Sequence, residues 1–391
     1  MSEIYSLYGY GKMIDDPARF DAYVEAIAEV GRPGDTVVDL GTGSGVMALL
    51  ACRAGARRVY AIEMSDVIEV ARQLAAANGF ADRVVFFHGD SRKCELPERA
   101  RVLFCDLRGT LPLFGNALDS LDDARNRFLE PCGVLIPQRD ALLASLVEAP
   151  ETYAGLTHPW ERGIPGADLS AARDLSVHAM SALRASPAQI VAGPEPWAEL
   201  NYLQSPGRSV RGAISFRLTR PATVHGIGLW FDAFLRDKLS FTTGPVGPGA
   251  PEKPFSVVYG QTLLPWIRPV TLTEGQEVSV VLSADLVDSD YVWRWETRIA
   301  PAKERPAIHF VQSTFYGQVY SKERLRRQAH DFVPSLSAEG EADRWILSSI
   351  DGRHSYEEIA SSAAEKFPSQ FPSEADALQH VIALAERYAR D

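Results

Sequence analysis

The chain has 391 residues, room for two or three domains, with 40 Lys and Arg against 51 Asp and Glu for a net charge of −11. No block of basic residues stands out, so binding to a phosphate backbone is not favoured, and no apolar run reaches membrane-spanning length. The first residues lack the apolar core of a signal peptide, and four scattered cysteines (Cys52, Cys94, Cys105, Cys132) form no CxxC pair, so a reduced cytoplasmic protein with no zinc site is expected.

In chain order, the first informative stretch is 36–63, TVVDLGTGSGVMALLACRAGARRVYAIE. An apolar run from Val37 to Leu40 ends in a GTGSG turn, a helix-compatible segment runs to about Ala54, and a second apolar run closes on Glu63. That order predicts one βαβ unit around a nucleoside. Gly41, Gly43 and Gly45 allow the sharp turn and bring a ligand against bare backbone, and Glu63 can accept both hydroxyls of a ribose. The glycines are spaced G-x-G-x-G rather than G-x-G-x-x-G, and no GK[ST] follows, which argues against a dinucleotide and a triphosphate. Asp39, just before the turn, repels phosphate but pairs with an amino group. S-adenosylmethionine, with a cationic amino-acid end and a free ribose, suits that pair of acids, and S-adenosylhomocysteine would be its product. Thr42 in the turn and Met64 after Glu63 are counted with the cofactor residues.

Further strands are expected at 84–90, ending in Asp90, at 101–107, ending near Asp106, and at 133–137, with a helix over 116–129. Strands interleaved with helices imply a mainly parallel, Rossmann-like sheet whose ligands sit beyond the strand carboxyl ends, where Glu63, Asp90 and Asp106 all fall. Beyond residue 137 the texture becomes antiparallel β, a barrel or sandwich, with alternating runs at 213–219, 223–234, 277–286 and 291–299. A helical excursion is expected over 169–183 and a bridging helix over 319–332. Residues 335–391 read as a small helical unit: a helix over 338–350, a capping box of Ser355 and Glu358, and a last helix from Ser373 to about 390. The expected domains are thus 1–139 for the cofactor, 140–334 for the substrate, and 335–391.

With those pieces in place, residues 8–320 resemble the protein arginine methyltransferases. KMIDDPARFDAY (12–23) is similar to that family's amino-terminal helix, which places Met13 and Arg19 over the cofactor and implies that Arg19 pairs with its carboxylate. The glycine turn and Glu63 match residue by residue, ARNRFLEPCGVLIPQRDAL (124–142) resembles the crossing into the barrel, and GLWFDAF (228–234) and FTTGP (241–245) resemble its first hairpin and following loop. The resemblance implies an arm at about 165–190 that makes a homodimer. The adenine-contacting glutamate aligns with Lys93, which leaves Asp90, with Ser91, on the adenine side. The family's two substrate glutamates align with Asp106 and Gly115 in CDLRGTLPLFG (105–115), where Arg108 also enters, and its Thr-His-Trp element aligns with Val257, Val258 and Tyr259.

A guanidinium is best held by paired carboxylates, and one carboxylate beside an arginine is a poor cradle for it. The expected function is therefore N- or O-methyl transfer to a peptide or specialised metabolite in a natural-product-type pathway. The alternatives are a protein arginine methyltransferase with a rebuilt site and a non-catalytic cofactor-binding scaffold. Asp106 would orient the nucleophile and take its proton, with Arg108 and Tyr8 as further catalytic candidates and Tyr10 lining the pocket; Cys105 is read as a small buried hydrophobe. The last unit, through ADRWILSSIDG (342–352) and YEEIASSAAEKF (356–367), resembles the peptide chaperone of pyrroloquinoline quinone biosynthesis, which implies a peptide partner. No metal, nucleic acid or membrane is expected.

Overall fold

Two helices open the amino-terminal region, α1 (Leu7–Ile14) and α2 (Pro17–Val30). They break at Asp16, whose side chain accepts the Arg19 amide and caps α2, with Pro17 at its first turn. The computed structural model describes residues 6–245, 253–301 and 306–389.

The alternation that follows forms β1 (Thr36–Leu40), α3 (Val46–Arg53), β2 (Arg58–Glu63), α4 (Ile68–Ala77), β3 (Val84–His88), β4 (Ala100–Cys105), α5 (Ala117–Phe128) and β5 (Leu129–Ile136). The strands pair in parallel in the order β3-β2-β1-β4-β5. β1 is buried along its whole length, as expected of a strand covered on both faces. Because β1 lies between β2 and β4, the chain winds outward in both directions from it, and a crevice opens at the carboxyl ends of β1 and β4. β5 starts at Leu129 rather than near 133, because Leu129 pairs with Ala100 across a register shift before Val134 meets Val102.

The antiparallel part follows as β6 (Arg139–Val147), α6 (Pro150–Glu161), α7 (Ser170–Ser176), β7 (Ser181–Leu183), β8 (Ile190–Asn201), β9 (Ser209–Arg217), β10 (Ala222–Phe234), β11 (Ser240–Thr242), β12 (Gln261–Leu272), β13 (Glu277–Val287), β14 (Asp290–Ile299) and β15 (Ile308–Ser313). It forms two sheets: β7-β12-β10-β6-β8, with β11 on β10, and β15-β14-β13-β9. β14 alternates between buried and less buried positions, but β10, between β6 and β12, is buried almost throughout.

The excursion differs in detail from its sequence reading. An additional helix, α6, starts at Pro150, and the helix expected over 169–183 is confined to Ser170–Ser176. Residues Ser181 to Leu183 are drawn instead into pairing with β12. Sheet edges recruit whatever lies beside them, and helical spacing over one short stretch carries no information about that edge.

The chain divides into two compact units, Met1–Gln318 and Val319–Asp391. The second holds α8 (Lys322–Gln328), α9 (Ala338–Ser349), α10 (Tyr356–Lys366) and α11 (Glu374–Tyr388). α8 is shorter than the bridging helix expected over 319–332 and buries no residue. The other three helices close around Ala342, Ile346, Ile359, Ala363, Phe371 and Val381. Ser355 and Glu358 form the capping box, and Ser373 caps α11; the expected end of α11 near residue 390 lies outside the described residues. Among the described residues no helix is long and apolar enough to cross a membrane.

Candidate active site

The crevice is a cavity of about 780 Å³ lined from α1, α2, the glycine turn, the end of β2, the end of β4 and Tyr259. At its floor, Gly41, Gly43 and Gly45 have φ of 74°, 53° and 82°. A Cβ would stand 2.5 Å from Leu107 at Gly41, 2.5 Å from the Tyr10 ring at Gly43 and 2.6 Å from Ala71 at Gly45, so the turn needs glycine for space as well as for backbone freedom.

Two acids flank the turn. Glu63 accepts the Gly43 amide at 2.9 Å on Oε2, and Ser65 donates its amide and hydroxyl to Oε1 at 3.0 and 2.9 Å. Those donors fix the carboxylate at the strand tip and leave lone pairs for ribose hydroxyls. Asp39 is buried and takes a 2.6 Å bond from the Thr42 hydroxyl. Burial pushes its carboxyl up to about 6, against the opposing bonds from Thr42 and the Ala48 backbone. A buried acid with no ion pair among the described residues is suited to an incoming ammonium.

The far wall is a buried ionic network. Arg19 bonds Asp106 through Nε (2.7 Å to Oδ2) and Nη2, reaches the Tyr259 hydroxyl at 3.0 Å, and donates Nη1 to the Met13 carbonyl at 2.9 Å. Tyr259 donates to Asp106 at 2.6 Å. Arg108 holds the other oxygen of Asp106 at 2.8 Å, donates to both oxygens of Asp140 at 2.8 and 2.7 Å, and donates to the Tyr23 hydroxyl at 2.9 Å. Tyr202 completes the set with a 2.6 Å bond to Asp140. Burial alone would raise the Asp106 carboxyl, but Arg19 and Arg108 outweigh it and hold it below the usual carboxylate range. Burial would depress both arginines, but Asp106 and Asp140 keep them charged. Cys105, buried at the end of β4, has its thiol pushed up to about 12 by burial, which leaves it inert as a nucleophile.

Most residues singled out in the sequence meet here: Met13, Arg19, Asp39, Gly41, Thr42, Glu63, Met64, Asp106, Arg108 and Tyr10 line the cavity, and Gly43 and Gly45 shape its turn. Tyr8 does not line it; the residue is 67 % exposed, with the Lys12 ammonium 4.3 Å from its ring centroid. Asp90 and Ser91 stand outside the lining. Asp90 is engaged by Arg92, whose side-chain bonds hold its carboxyl down, and Ser91 is buried. Tyr23, Asp140, Tyr202 and the role of Tyr259 escaped sequence reading. The one local signal was Asp140, a charged residue opening the otherwise apolar run ALLASLV.

Asp16 links the same parts. Besides capping α2, its Oδ2 accepts the Ser256 hydroxyl and the Val257 and Val258 amides at 2.8, 2.8 and 3.0 Å, so one buried carboxylate fixes both the helix bearing Arg19 and the loop bearing Tyr259.

Four acids (Asp39, Glu63, Asp66, Asp106) and two arginines line the cavity. That excess of negative charge suits a ligand carrying a sulfonium, an ammonium and one carboxylate. Among the described residues each terminal nitrogen of Arg19 makes one hydrogen bond, which leaves a second N–H for that carboxylate.

Comparison with known proteins agrees. The family model for ribosomal protein L11 methyltransferase matches residues 22–135. A probable protein arginine N-methyltransferase 6 of Arabidopsis thaliana is 30% identical over 230 residues, 56% of this chain and 53% of that protein, so the chain spans about half the length of that relative. Protein arginine N-methyltransferase PRMT10 of Oryza sativa subsp. japonica is 28% identical over 340 residues, covering 77% of this chain and 88% of that one. Among solved structures, Arabidopsis thaliana protein arginine methyltransferase 10 superposes with a TM-score of 0.68 at 23% identity, covering 79% of this chain and 98% of that one. The Trypanosoma brucei PRMT1 enzyme–prozyme complex with AdoHcy gives 0.70 at 20% identity, covering 80% and 99%. The fold is thus a Rossmann-like methyltransferase domain followed by antiparallel sheets, with further helices at the carboxyl end. The chain is similar to protein arginine methyltransferases, and the charges lining its cavity suit S-adenosylmethionine.

Proposed function

We propose that the protein is an S-adenosylmethionine-dependent methyltransferase that modifies a guanidinium nitrogen of arginine in a protein or peptide. One observation carries the acceptor: the edge formed by Asp106 Oδ2 and the Tyr259 hydroxyl already receives a guanidinium, that of Arg19. When Arg19 turns toward the cofactor's carboxylate, that edge is free to take a second guanidinium in the same geometry. The curated relatives, named as arginine methyltransferases, support the same acceptor. Neither of the two relatives named above is described with the natural-product acceptor expected from the sequence.

The bound cofactor supplies a methyl group already activated by its sulfonium. The chain's task is placement, exclusion of water and a site for the departing proton. Asp106, which keeps its bond to Arg108 when Arg19 turns away, orients the acceptor nitrogen and accepts its proton. A second reading, transfer to a less cationic nitrogen or oxygen, is favoured by Gly115 standing where a second carboxylate would be and by the two arginines around Asp106.

The test is incubation of the full chain with labelled cofactor and peptide pools, followed by mass spectrometry of the label. Methylarginine is the expected product; label on another atom selects the second reading. Absence of transfer from a protein that binds the cofactor overturns both in favour of a scaffold. Asp106→Asn is expected to lower turnover by about 10²–10⁴-fold while cofactor affinity holds. The 165–190 segment is assigned to self-association, since Leu175 is 40 % exposed and Ile164 just before it 61 %. Sedimentation at increasing concentration is expected to give a dimer.

A further inference from the structure

A second groove, of about 580 Å³, runs beside the acceptor end of the crevice. One wall is the 109–114 loop that carries Phe114, another is the 178–182 segment, and a third is the start of β14 with Asp290, Tyr291 and Trp293. Phe114 lines both this groove and the cofactor cavity, so the two are continuous around one ring. The β13–β14 turn packs against the acceptor loop: a Cβ on Gly115 would stand 3.8 Å from the Ser289 carbonyl.

The groove's chemistry is one-sided. Among the described residues no Lys or Arg lines it, and its one histidine, His178, has its pKa pushed down by burial. Asp290 is its one carboxylate. It is exposed, accepts the amide of its neighbour Tyr291 at 2.8 Å, and pairs with no cation among the described residues. Phe114, half exposed, adds aromatic surface, which attracts cations through the ring quadrupole. Beside it the Tyr291 hydroxyl is buried with no hydrogen-bond partner among the described residues, a desolvated polar group.

We infer that this groove takes a cationic side chain of the acceptor polypeptide, one flanking the residue methylated, with Asp290 as its counter-ion. The inference rests on the reading of the acceptor as a protein or peptide. Charge complementarity and continuity with the crevice around Phe114 select this occupant over an apolar segment. Asp290 is thereby a specificity residue, outside the Asp106 network that serves the reacting nitrogen.

The experiment is direct binding by fluorescence anisotropy, using the full chain saturated with S-adenosylhomocysteine at low salt. The probes are a labelled Gly/Ser peptide with one central arginine flanked by lysines and its counterpart with glutamines in place of the lysines. Wild type is expected to favour the lysine peptide by roughly fivefold, the scale of one exposed ion pair. Asp290→Asn should remove the preference, and Asp290→Lys should reverse it, with affinity for the glutamine peptide unchanged in both. Equal binding of the two peptides by wild type, or a preference that survives Asp290→Asn, overturns the assignment. Selective binding without methyl transfer would instead overturn the proposed activity and leave the groove assignment standing.

Discussion

Asp39 ties the cofactor to pH. Its folded carboxyl titrates at about 6, above the roughly 3.9 of an unfolded aspartate, because burial penalises the charge. The sign follows: the native state holds a proton there that the unfolded chain has lost, so this group's contribution to stability is present at low pH and is lost as pH rises through about 6. Cofactor binding runs the other way, since the incoming ammonium requires the ionised carboxylate. Affinity for S-adenosylhomocysteine, measured by calorimetry, is expected to weaken by up to about tenfold per unit as pH falls below about 6. Asp39→Asn should bind weakly with a flat profile. A wild-type profile equally flat from about pH 5 to 7.5 would remove Asp39 from the ammonium site.

At the scale of elements, the site depends on α2 and the 256–259 loop being set by one side chain. Asp16→Ala removes the cap of α2 and leaves the Ser256 hydroxyl and the Val257 and Val258 amides without their shared acceptor. The loss is expected to be about 2–4 kcal/mol, a cap plus charge-assisted bonds, read by denaturant titration. Cofactor affinity should fall with it, because Arg19 and Tyr259 lose their common anchor. A destabilised variant that binds cofactor normally would separate the two. This contact also marks the limit of what the sequence discloses. The glycine turn, Asp39, Glu63 and Asp106 were legible because a strand end, a turn and a strand end lie within short spans of chain. Arg19 and Met13 were placed only through family resemblance. Tyr259, Asp140 and Tyr202 reach the site from segments 153, 32 and 62 positions away from their partners, and no periodicity encodes such a meeting. Tyr8 and Tyr10 illustrate the converse. They are two residues apart on α1, about half a turn of helix, so one ring lies over Gly43 and the other faces solvent.

For the whole molecule, the two units divide the work. Every residue lining the crevice belongs to Met1–Gln318, while the last three helices carry their own apolar cluster around Ile346, Ile359 and Val381. A unit with its own core can be removed without opening another's, so a chain ending at residue 334 is expected to fold and to bind S-adenosylhomocysteine within about twofold of the full chain. If the removed helices hold part of a polypeptide acceptor, as their sequence resemblance to a peptide chaperone implies, their loss shows in KM. The shortened chain should therefore show a raised KM for a long protein acceptor and an unchanged KM for a short peptide, since only the long acceptor reaches beyond the crevice. An equal rise for both would point to a general loss of order in the first unit. No change for either would free the last helices from any part in recognition.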